Sequence, residues 1–60
     1  MDEYDIYVNS VMAEIRSRVK NPTLQREALD KMDEDCHLMG EAYESGVTPS
    51  QYAQSLLGRM

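Results

Sequence analysis

Tryptophan and phenylalanine are absent from this chain, and cysteine and histidine occur once each. A lone thiol, Cys36, excludes an intramolecular disulfide. One Cys with one His cannot furnish the four ligands of a structural zinc site either. Proline occurs twice and glycine three times, too few and too scattered for a low-complexity tract. Gly40, Gly46 and Gly58 lie too far apart to cradle a phosphate and lack a following Lys-Ser/Thr. No apolar run approaches the roughly 20 residues of a membrane-spanning helix, and no charged-then-apolar segment opens the sequence. With the single thiol, this makes the cytoplasm the expected compartment. Cations are scarce too: 6 Lys and Arg against 11 Asp and Glu give a net charge of −5 at pH 7. That balance disfavours attachment to a phosphate backbone or an anionic membrane.

What the chain does have is period. Tyr4, Val8, Val11, Ile15 and Val19 recur at intervals of three and four. Leu24, Ala28, Met32, Cys36, Met39 and Tyr43 do the same after Asn21-Pro22. At about 3.6 residues per turn, each set shares one helix face. The reading is a single all-α domain over 1–60. It consists of an antiparallel helical hairpin, about 3–20 and 22–45, and a short third helix, about 49–57. Acidic Asp2, Glu3 and Asp5 open the first helix and basic Arg16, Arg18 and Lys20 close it, the order the macrodipole favours. Gly46 stops the second helix, and Gly40 either breaks it or admits a neighbour. A hairpin turn at residues 21 and 22 sets Tyr4 beside Gly40. It also sets Val8 against the small, buried Cys36.

Thr48-Pro49-Ser50-Gln51 is the sharpest local signal. Thr48 caps the third helix, Pro49 takes its first position and Gln51 reaches back, with Val47 and Tyr52 as the flanking apolar pair. Tyr52, Ala53, Leu56 and Leu57 form the apolar face of that helix. Tyr7, Met12, Leu29, Leu38 and Ala42 fall on the flanks of the first two stripes. A chain of this length buries only roughly 60% of its unfolded surface. A second copy completing a helical bundle is therefore expected to cover those flanks.

The candidate chemistry is sparse. Asp33, His37 and Glu41 are spaced as helical metal ligands are, but they read as solvated surface because no second histidine exists. Cys36 and His37 are neighbours in sequence and diverge by about 100° on a helix, so they do not form a catalytic pair. Neither catalysis nor a cofactor is expected. The tyrosines carry the functional reading. Antiparallel closure gathers Tyr4, Tyr7, Tyr43 and Tyr52 at one end, fringed by Asp2, Glu3, Asp5, Glu41 and Glu44. Aromatic side chains bury area at low entropic cost while acids steer a basic partner, so this end is the expected protein-binding surface. The class is a small acidic inhibitor, adaptor or regulator, of the kind that phages and mobile elements encode. Two alternatives stand beside it. One is a helix-turn-helix nucleic-acid regulator using the Arg16, Arg18, Lys20 and Arg26 end. The other is an assembly chaperone or subunit of a larger helical complex.

Overall fold

The computed structural model describes residues 2–60, and among them every regular element is helical. The helices are α1 (Glu3–Arg18), α2 (Pro22–Glu34), α3 (Cys36–Glu44) and α4 (Pro49–Gly58). Local chemistry sets most of the ends. The Asp2 carboxylate accepts from Tyr4 N at 3.2 Å to cap α1. Asn21 Oδ1 accepts from Thr23 N at 2.9 Å and from Leu24 N at 3.2 Å, with Pro22 at the first turn of α2. At α4, Thr48 Oγ1 accepts from Gln51 N and Gln51 Oε1 accepts from Thr48 N, each at 3.1 Å, completing the expected capping box. Gly46 ends α3 with φ +80°. Val47 N donates to Ala42 O at 3.0 Å and Gly46 N to Tyr43 O at 3.3 Å, the Schellman pattern that a left-handed glycine permits.

The long second helix does not form as expected. It divides at Asp35, which sits at φ −95° and ψ 21°, into α2 and α3. Gly40 lies inside α3 with ordinary helical backbone, so the break is not the glycine's. The carboxylate at the break is mostly covered. Asp35 pairs with Arg59, just past the end of α4, at 3.4 Å and with Lys31 at 4.0 Å. Tertiary pairing, rather than a helix-breaking residue, marks the division.

The core gathers Tyr7, Val11 and Ile15 of α1, Ala28 and Met32 of α2, Met39 of α3, and Tyr52, Ala53 and Leu56 of α4. α1 packs most extensively on α4 and less on α2 and α3. This rotates the buried side of α1: Tyr7, expected on a flank, is buried, while Tyr4, Val8 and Val19 are only partly covered. Two further expectations fail. Leu24 is half exposed at 51%, and Cys36 is an exposed thiol rather than a core residue. Both lie at ends of the divided helix, Leu24 in the first turn of α2 and Cys36 in the first turn of α3. Among the other flank residues, Met12, Leu29 and Ala42 pack partly against the core, whereas Leu38 stays exposed.

Gly40 answers the question its position posed. A Cβ there would meet the Tyr4 hydroxyl at 3.9 Å, an ordinary van der Waals contact. Gly40→Ala is therefore expected to stabilise by about 0.5–1 kcal/mol, since alanine restrains the unfolded chain and fits the helix. Gly40→Leu should overpack the Tyr4 contact and destabilise by roughly 1–3 kcal/mol. Thermal melts of the two variants check the pair of signs; destabilisation by alanine would contradict this account of the site.

Candidate functional site

Three of the four tyrosines meet at the start of α1. Tyr4 and Tyr7 lie one turn apart on α1, and α3 carries Tyr43 to them. The Tyr4 and Tyr43 rings stand 5.3 Å apart at 75°, and the Tyr7 and Tyr43 rings 5.3 Å apart at 69°. These edge-to-face contacts pair the positive rim of one ring with the negative face of another. Tyr7 is the buried member. Its hydroxyl donates to Val47 O at 2.7 Å, tying α1 to the link before α4. Burial first, then the neighbouring Tyr52 and Tyr4, raise its pKa above the usual phenol value.

Tyr4 and Tyr43 remain partly exposed. The Tyr43 hydroxyl donates to Glu3 Oε2 at 3.3 Å. Its pKa is raised by desolvation, then by the Glu3 charge and hydrogen bond, then by Asp2. Every charged group in that set is a carboxylate. Asp2, Glu3, Asp5, Glu41 and Glu44 are all exposed. Glu41 is engaged by His37, whose Nε2 lies 3.4 Å from its Oε1, both side chains largely in solvent. That exposed pair matches the expected solvated face around His37.

Tyr52 stands apart from the other three in role. It is 5% exposed within the core, with a hydroxyl that has no hydrogen-bond partner. Its pKa is raised by burial and then by Asp35, while Arg59 lowers it. It belongs to the polar cluster under the α2–α3 junction rather than to the accessible aromatic surface. That cluster of Asp35, Lys31 and Arg59 was not foreseen. The only trace of it in the sequence is the four-residue spacing of Lys31 and Asp35, inside a run that looked uniformly solvated. Beside it lies a shallow, open groove lined by Glu27, Asp30, Lys31, Glu34, Arg59 and Met60.

The basic end is partly committed to structure. Arg18 pairs with Glu14 at 3.2 Å and its Nη2 donates to Ser50 Oγ at 2.7 Å, joining the end of α1 to the start of α4. Arg16, Lys20 and Arg26 are exposed. Among the described residues, no three His, Cys, Asp or Glu side chains are grouped to hold a metal ion, and no helix is long and apolar enough to cross a membrane. No family model matches the chain, and no curated protein or solved structure does so either.

Proposed function

We propose that this protein is a small non-enzymatic binding module whose acidic, tyrosine-lined end takes up a basic surface of another protein, in the manner of an inhibitor, adaptor or regulator. The observation that carries this reading is the partly exposed Tyr4–Tyr43 pair with Glu3 hydrogen-bonded at its rim. Aromatic area supplies the contact, and the surrounding carboxylates steer and orient a cationic partner. The covered Tyr7 ring supports the pair from beneath. A homodimer, with two copies packing as a helical bundle, accompanies the reading. It draws support from the exposed Ile6 and Leu38 side chains, 52% and 42% accessible, and calls for twice the chain mass in sedimentation equilibrium.

The test compares two sets of folded variants, using immobilised protein to capture partners from the host and an electrophoretic shift with generic DNA and RNA. Glu3→Lys with Tyr4→Ala is expected to abolish partner capture. Arg16→Ala with Lys20→Ala is expected to leave it intact, and no nucleic-acid shift should appear at physiological salt. Salt-sensitive nucleic-acid binding that disappears with the Arg16 and Lys20 pair would instead establish the helix-turn-helix alternative.

A further inference from the structure

The Tyr4–Tyr43 pair has a shape as well as a charge. Two partly exposed rings meeting at 75°, with centroids 5.3 Å apart, form a corner: one ring makes a floor and the other a wall. The Tyr43 hydroxyl holds the Glu3 carboxylate at the rim, 3.3 Å away. Gly40 contributes no side chain to this corner, and its Cβ position lies 3.9 Å from the Tyr4 hydroxyl. Among the described residues, no ion pair brings an arginine or lysine here: Arg18 is engaged at the far end of α1, and Lys31 and Arg59 at Asp35.

We propose that this corner receives one arginine side chain of the basic partner, its guanidinium lying on a tyrosine face and donating to Glu3. The inference rests on the proposed protein-binding reading and sharpens it to a single anchor. Arginine fits better than lysine for a geometric reason. A guanidinium is planar, so it can stack flat on one ring while its in-plane N–H groups reach a carboxylate at the ring's edge. An ammonium is a compact, strongly hydrated point charge, which can satisfy the carboxylate or the ring face but covers little of either. Tyr43 serves twice, as the aromatic surface and as the donor that fixes Glu3.

The probes are three synthetic peptides that alternate glycine with arginine, with lysine, or with citrulline, which keeps the planar group and lacks the charge. Binding is followed by calorimetry and by the tyrosine ring resonances of the intact chain at low ionic strength. The arginine peptide should bind severalfold tighter than the lysine peptide, and the citrulline peptide should not bind. Ring signals of Tyr4 and Tyr43 should move while those of Tyr52 stay fixed. Tyr43→Leu should weaken the arginine peptide by roughly three- to thirtyfold, the span of a partly exposed cation–π contact. Tyr43→Phe should retain most of the ring's share. Glu3→Gln should erase the preference for arginine over lysine. Equal affinity for both basic peptides with unmoved Tyr4 and Tyr43 rings would overturn the arginine anchor and leave the acidic-surface reading standing. Failure of both basic peptides to bind would remove the acidic-surface reading itself.

Discussion

Leu56→Ala is expected to leave the chain largely unfolded at 25 °C. Leu56 is fully buried in the last turn of α4, in the core cluster with Val11 and Ile15 of α1, which are also fully buried. Truncating a buried leucine removes its transfer free energy and leaves a cavity, together about 2–5 kcal/mol. A domain of this size has little more than that to lose, because its thin core leaves only a few kcal/mol of net stability. Leu24→Ala supplies the internal contrast. The same chemical deletion at a half-exposed position should change stability by no more than about 0.5 kcal/mol. Far-ultraviolet circular dichroism with urea titration reads both. Comparable losses at the two positions would mean that α4 is not the principal partner of α1.

That contrast also marks where sequence stops specifying structure. Leu24 and Leu56 both sit in apolar helical patterns, and period alone cannot rank them. It defines a broad arc of each helix, and the residue at the centre of the arc depends on which neighbour docks. α1 leans on α4, so Tyr7, Val11 and Ile15 turn inward and Val8 moves to the edge. The helix ends were more legible, because capping is settled within four or five residues. Asn21, Thr48 with Gln51, and Gly46 each act through hydrogen bonds or a backbone angle that their own chemistry dictates.

The division at Asp35 was hidden for the opposite reason. Asp33 to His37 contains no glycine or proline, and Asp35 N still donates to Lys31 O while Met39 N donates to Asp35 O. What distinguishes Asp35 is its pairing with Arg59, twenty-four positions along, and no local pattern reports such a pairing. The candidate site inherits both kinds of information. The meeting of Tyr4, Tyr7 and Tyr43 follows from chain reversal, and Tyr4 beside Gly40 follows from residue spacing about the turn. The burial of Tyr52 does not, since it depends on how α4 lies across α1.

The two buried tyrosines are expected to answer one deletion with opposite signs. Tyr7→Phe removes a hydroxyl that donates to Val47 O at 2.7 Å, and the carbonyl left behind is partly buried. Losing a made hydrogen bond and stranding its acceptor should destabilise by about 1–2 kcal/mol. The loss falls on the link that positions α4, so the variant should also expose that link to proteolysis. Tyr52→Phe removes a hydroxyl that is buried and unpaired. Arg59 opposes the rise in the Tyr52 pKa through a weak hydrogen-bonding approach and its charge, but it makes no well-formed hydrogen bond to that oxygen. Deleting the group therefore relieves a desolvation penalty and gives up no more than the weak approach of Arg59. The chain should gain up to about 1 kcal/mol, or at least lose nothing. Matched thermal and urea unfolding of the two variants decides the point. A clear loss from Tyr52→Phe would show that its hydroxyl is satisfied in solution, and equal losses at both positions would remove the distinction between the two tyrosines.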